Sequence, residues 1–418
     1  MITPFVILRL AWLGLSNHDY WQRWSERFGY IPLDNDQRPV LWIHAVSVGE
    51  VHASMPVVNH LLATYPEFQL VITTTTPTGA QSVKNHFGDT VKHFYLSYDL
   101  PGAVKRFVSR LTPQMLMVME TEIWPNLFQC CNKLNIDIVL VNARMSEKSA
   151  KRYSRLSHLA RSSLSDIRKI AAQTEADAKR LITLGALPEN VIVTGNLKFD
   201  IKLPHSLIEE AQSLRRTLSV NRPIWIAAST HEGEEEKILI AYNEVLSRHK
   251  NCLLIIAPRH PERSGAISGL CKKHHLATIH HSQGKACHPS TQVYILDTLG
   301  DLPLFYAASD IAFVGGSLVP GGGHNVLEPA CLGLPVLIGP HTYNFLEICH
   351  LLEQQGAAWR VMDSDQLASQ VIVLLSDANL RHYAGEKGRQ MVEENRGSSK
   401  QVIDLLDNLI SGGTSRKN

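Results

Sequence analysis

The sequence contains no C-x-x-C pair, and its seven cysteines (Cys130, Cys131, Cys252, Cys271, Cys287, Cys331 and Cys349) follow no regular framework. In a chain of 418 residues that pattern excludes a disulfide scaffold and fits a reducing compartment. Charge of one sign is also lacking: a formal net charge of +2 is too small to argue for a nucleic-acid partner. The opening apolar stretch, Phe5 to Leu15, is interrupted by Arg9 and falls short of the ~20 residues that span a bilayer. No small-residue cleavage site follows it; Trp12 lies within it, and Trp21, Arg23, Trp24 and Arg27 come after, which argues against a secretory signal. A helix lying in a membrane interface, apolar side down, accounts for this mixture; a helix packed on the protein's own core is the competing reading.

With 44% hydrophobic and 19% charged residues the composition is that of an ordered globular protein. The length exceeds what one hydrophobic core usually serves, so two domains of similar size are expected. The His-rich stretch Cys271 to His288, with His274, His275, His280 and His281, is polar and turn-rich and reads as a solvated connection rather than a metal site.

From Val40 onward short apolar runs alternate with helical patterns. VLWIHAVS, QLVITTTT, HFYLSYD, QMLMVME, DIVLVNA, KIAAQT and NVIVTGN are the strand candidates of the first half. Val51, Met55, Val58, Leu61 and Leu62 recur at helical spacing between the first two. The series restarts with PIWIAAST, NCLLIIAPR, QVYILDT, DIAFVGGS and PVLIGP. Two α/β domains, each a doubly wound Rossmann-like parallel sheet, are expected to face each other across a cleft in the B-type glycosyltransferase architecture, a fold that also serves epimerases. The expected division is residues 1–30 as a membrane-associated helical segment and 31–202 as an acceptor-binding domain. Residues 203–395 are expected to bind the donor, and 396–418 to form a C-terminal helix and tail.

Ligands of open parallel sheets sit beyond the carboxyl ends of the strands, so polar residues there are the candidates. Glu50 lies in the first turn of a helix that follows VLWIHAVS. It is placed either as a general base for a sugar hydroxyl or merely as a complement to the helix dipole. Glu120 and Glu122 end QMLMVME, and one of the two is expected to be structural. Lys198 follows NVIVTGN by two residues, where a cation would neutralise phosphate oxygens. Arg259, between Pro258 and Pro261, carries a fork suited to phosphate or carboxylate.

The strongest local signal is Val314 to Pro329 (VGGSLVPGGGHNVLEP), a strand, a glycine-rich loop and a new helix whose free N–H groups would meet an anion. Asn325 is the expected N-cap, with Glu328 at capping-box spacing. Glu328 is alternatively a partner for ribose hydroxyls. A basic run, Arg144, Lys148, Lys151, Arg152, Arg155, Arg161, Arg168 and Lys169, is either a solvated helix face or a seat for anionic headgroups.

At HAVSVGE, TTTTPTG, METEIWPN, NARMS, TGNLKFD, STHEGEE, APRHPER, GGHNVLEP and GPHTYNF the sequence resembles the bacterial 3-deoxy-D-manno-octulosonic acid (Kdo) transferases, in order from about Leu41 to Phe345. The resemblance implies an inverting glycosyltransferase that needs no metal or cofactor. Its donor would be CMP-Kdo and its acceptor an acylated disaccharide bisphosphate, on the cytoplasmic side of the cell inner membrane. By the same resemblance Glu50 is the general base, and Glu120 and Lys198 stabilise the transition state. Pro258 and Arg259, the Leu299-Gly300-Asp301 turn, and Asn325, Val326, Leu327 and Glu328 would contact CMP. Asp301 stands where the family pattern has Glu, and Val326 where it has Pro. Two other classes stay open: a sugar-nucleotide epimerase on the same fold, and a nucleotide-binding scaffold without turnover.

Overall fold

The computed structural model describes residues 18–32, 36–201, 203–204, 206–219 and 221–414. The apolar segment Phe5 to Leu15 lies outside them. The chain divides into two units, residues 1–200 with 396–418, and 201–395. The second unit is thus inserted into the first, and the chain passes between them twice.

The first unit carries β1 (Val40–His44), β2 (Gln69–Thr74), β3 (Lys92–Tyr95), β4 (Pro113–Met119), β5 (Asp137–Ala143), β6 (Lys169–Ala172) and β7 (Val191–Val193). They form one sheet in the order β3-β2-β1-β4-β5-β6-β7 with every pairing parallel. Helices cover both faces, so β1 is buried at every position. Val40 and Trp42 enter one core with Phe107 and Phe128, and Leu41 and Ile43 enter the other with Val51, Leu61 and Met117. This explains why the strand reads as a continuous apolar run rather than an alternating one. The second core also receives Val402, Leu406 and Ile410 from the C-terminal helix Ser398–Thr414, which packs beside the helix Val48–Thr64.

The second unit repeats the plan with β8 (Ile224–Thr230), β9 (Leu253–Pro258), β10 (Thr278–His280), β11 (Val293–Ile295), β12 (Ile311–Val314), β13 (Val336–Ile338) and β14 (Ala358–Arg360). The order is β10-β11-β9-β8-β12-β13-β14, again all parallel. Trp225 and Ala227 of β8 face one core while Ile224, Ile226 and Ala228 face the other. Two strands here have no counterpart in the sequence reading. Among them, β10 corrects the reading of Cys271 to His288 as a solvated connection. Thr278–His280 pairs with β11, and His280 Nδ1 lies 3.1 Å from Asp297 Oδ2. Among the described residues no group of three or more His, Cys, Asp or Glu is arranged to hold a metal.

Candidate active site

In the first unit the polar cluster stands beyond the carboxyl ends of β1, β4 and β7. Only three residues separate β1 from its helix, which begins at Val48 with Ser47 as N-cap. Glu50 is therefore in the first turn, and it is 7% exposed. Its carboxyl accepts from the Val46 N–H at 2.8 Å and from the Ser47 hydroxyl at 3.0 Å. Burial, then the nearby charge of Glu120, pushes its pKa up to about 8 against the opposing pull of those two donors. Complementing the helix dipole favours the ionised form, whereas burial beside Glu120 favours the neutral one.

Glu120 is the first residue after β4 and continues the ladder, its N–H donating to Val141 O at 2.8 Å. Its backbone lies in the left-handed region at φ 55°, a conformation that disfavours a non-glycine residue by roughly 1 kcal/mol and commonly marks functional sites. Lys198 Nζ donates to Glu120 Oε1 at 3.0 Å. Glu122, in contrast, makes no such pair; burial, with Glu120 beside it, raises its carboxyl above the usual range. The structure thus separates the two carboxylates that the sequence alone left equivalent.

Lys198 sits in a short turn, Leu197–Phe199, that follows β7. The turn is tied down by Asn142, a fully buried residue of β5 at φ 60°, whose Oδ1 accepts from Leu197 N at 3.0 Å. Gln173 in turn holds the Asn142 carbonyl at 2.9 Å. Neither residue was singled out in the sequence. The available signal was Asn142 within NARMS, because Asn tolerates left-handed backbone better than most residues.

In the second unit β9, β8 and β12 are neighbours, and the strand order reverses between β8 and β12, the position where doubly wound sheets bind ligands. Arg259 follows β9 directly and is exposed, its N–H donating to Thr230 O at 3.0 Å. His231 follows β8, and the glycine-rich loop follows β12. Glu234, fully buried at the start of the helix Glu234–Arg248, binds this region together. Its Oε2 accepts from His231 N at 2.9 Å and Gly316 N at 2.7 Å; its Oε1 accepts from Ser317 N at 2.9 Å and Leu318 N at 2.8 Å.

One expectation for the loop, its N-cap, is corrected here. The anion met by its first amides is the protein's own Glu234, and the helix beyond it, Leu327–Cys331, is only five residues long. The N-cap of that helix is Val326, not Asn325. Asn325 nevertheless serves it from one position earlier, with Oδ1 accepting from Leu327 N at 3.0 Å and Nδ2 donating to Glu328 Oε1 at 3.0 Å. Burial raises the Glu328 carboxyl above its ordinary range. The third candidate segment is a turn: Leu299 is 78% exposed, Gly300 lies at φ 96°, and the Thr298 hydroxyl donates to Asp301.

Residues 22–201 match the family described as 3-deoxy-D-manno-octulosonic-acid transferase (kdotransferase), and residues 225–391 match glycosyl transferases group 1. The chain is 42% identical over 405 residues to a 3-deoxy-D-manno-octulosonic acid transferase of Haemophilus influenzae, covering 96% of this chain and 95% of that protein. A Bordetella pertussis protein of the same name is 33% identical, covering 88% and 87%. A more distant likeness is to the structure of a UDP-GlcNAc 2-epimerase from Neisseria meningitidis bound to UDP-GlcNAc. It has a TM-score of 0.57 at 16% identity, covers 88% of this chain and all of that one, and shows a shared fold. Two Rossmann-like units, the ordered motifs and the near full-length identity together place the chain in the 3-deoxy-D-manno-octulosonic acid transferase family, as a glycosyltransferase that handles Kdo.

Proposed function

We propose that this enzyme transfers Kdo from CMP-Kdo to the 6'-hydroxyl of an acylated disaccharide bisphosphate, the lipid A precursor, with inversion and release of CMP. The observation that carries the reading is the Glu50 carboxyl, buried beside Glu120 and holding its proton up to about 8. A sugar hydroxyl is a poor nucleophile until its proton is drawn off, and a base is most effective when its pKa lies near the working pH. Glu50 takes the hydroxyl proton as the oxygen bonds to the Kdo anomeric carbon. The bond from that carbon to the phosphate oxygen breaks, and its electron pair leaves with CMP. Lys198, tied to Glu120 at 3.0 Å, stabilises with it the charge that develops in the transition state. On the second unit Arg259 meets the charge that grows on the departing phosphate, and Glu328 and Asn325 hold the nucleoside.

The acceptor carries phosphates and acyl chains. The helices Glu147–Ser154 and Ser157–Ser165 offer exposed Lys148, Lys151, Arg152, Arg155 and Arg161 beside exposed Leu156 and Leu159. That mixture suits an anionic membrane surface, and we place the enzyme at the cytoplasmic face of the inner membrane. No helix among the described residues is long and apolar enough to cross a membrane. Mass spectrometry of the acylated disaccharide after incubation with CMP-Kdo tests the assignment. A gain of one or two Kdo masses, with CMP release that depends on the lipid, is expected. An unchanged lipid beside a consumed or epimerised donor would transfer the chain to the epimerase class.

A further inference from the structure

Two histidines that the reading above leaves unused stand at the switch point of the second sheet. His231 Nε2 and His324 Nε2 are 2.7 Å apart, with the rings stacked at 6° and their centroids 5.0 Å apart. At that distance one proton lies between the two nitrogens. Two protons would clash, and none would leave two lone pairs opposed. The surrounding backbone is shaped to this pair. Gly316, at φ 67°, lies against both rings, and a Cβ there would come within 2.9 Å of His324 Cδ2. The N–H groups of His231 and Gly316 share one oxygen of Glu234, which fixes both walls of the site to the same carboxylate.

The charges facing the pair are unequal. His231 faces Glu234 and Glu235 from the helix that follows it, and Arg259 and His260 from the end of β9; the His260 ring stands edge-on at 6.1 Å. His324 faces His231, Arg259 and His260, and no carboxylate acts on it among the described residues. Burial first, then the neighbouring His231, Arg259 and His260, push His324 down to about 4, and burial likewise lowers His231. At neutral pH the empty pair is therefore uncharged and sits beside an exposed guanidinium, in a place that gains most from a negative group.

We propose that His231 and His324, with Arg259, form an oxyanion seat for the nucleotide-sugar donor, and that filling it draws one proton from solution onto the histidine pair. The inference rests on the CMP-Kdo reading, whose donor carries a phosphate and a carboxylate on the same carbon; either oxyanion has the chemistry the seat takes. The proton comes from buffer, so binding weakens as pH rises, by about tenfold per pH unit for each proton taken up.

The test is calorimetric titration of the intact protein with CMP, and with CMP plus free Kdo, in two buffers of different ionisation heat between pH 7 and 9. CMP is already a dianion in that range, since its second ionisation falls near ~6. Uptake approaching one proton with CMP alone assigns the seat to the phosphate; uptake only when Kdo is also present assigns it to the carboxylate. Both support the proposal, and the histidine ring resonances of the wild-type protein should shift to the protonated position in parallel. His324→Asn should abolish the uptake and weaken binding about tenfold or more at pH 7, with a smaller loss at pH 9. Tight binding without proton uptake, or equal uptake in wild type and His324→Asn, overturns it. A uridine or adenosine nucleotide bound in place of CMP with the same uptake would keep the seat and remove the cytidine reading. If no nucleotide binds at all, both fall.

Discussion

Glu50 and Glu234 occupy equivalent places in the two units, each buried in the first turn of the helix that follows the unit's first strand, β1 or β8. They differ in the donors each carboxylate receives. Glu234 receives four backbone N–H groups, three of them from residues 82 to 84 positions away, and so fills its acceptor sites and locks a loop. Glu50 receives one backbone N–H and one hydroxyl, and has Glu120 as a neighbour. Burial is common to both. What separates a structural anion from a proton carrier is how many donors remain to hold the charge.

The largest break in this comparison is expected from Glu50→Gln, which keeps the shape and removes the base. Lipid-dependent CMP release should fall by ~10²–10⁴-fold with donor affinity little changed. Turnover near wild type would remove Glu50 from the chemistry. Glu234→Gln should do the reverse. The amide would keep one oxygen for two of the four backbone donors and set its N–H groups against the other two, which should destabilise the protein by about 3 kcal/mol, read by urea denaturation, and loosen donor binding. A harmless Glu234→Gln would erase the distinction drawn here.

A third contrast concerns pH. Because the folded protein holds the Glu50 proton up to about 8, from an ordinary value of 4.5, it binds more protons than the unfolded chain between those limits. The contribution of Glu50 to stability therefore declines as pH rises across that window, at up to about 1.4 kcal/mol per unit. Glu50→Gln should flatten this slope and be the more stable protein at pH 8, which denaturation at several pH values reads directly. The smallest expected effect sharpens the cause. Removing the like charge with Glu120→Gln should lower the acidic limb of the kcat/KM profile from near 8, by about one unit or less, apart from any loss of rate.

Much of this was legible in the sequence. Glu50, Glu120, Lys198 and Arg259 each follow an apolar run in a parallel pattern, which is enough to place them at the carboxyl ends of strands. The three-residue edge strands Thr278–His280 and Ala358–Arg360 were not legible, because so short a run carries no period and the first lies among histidines. Nor was the pairing of Lys198 with Glu120 rather than Glu122, since a position at a strand end says nothing of backbone direction. That is set by the left-handed turn at Glu120. Glu234 was hidden for the same reason as Asn142: each acts on amides more than 50 positions along the chain, a relation only the folded sheet creates.

The helix Ser398–Thr414 that completes the first unit leaves the ribosome only after the inserted unit. Val402, Leu406 and Ile410 reach their places beside Leu41, Val51 and Leu61 only after the whole of 201–395 has been made. At ~5–20 residues per second that interval is roughly 10–40 s. Through it the half-built first unit keeps an uncovered oily face while the inserted unit, continuous in sequence, has everything it needs to fold. Newborn chains should therefore mature from the middle outward, and the nascent enzyme should be most in need of chaperone shelter just before that helix emerges.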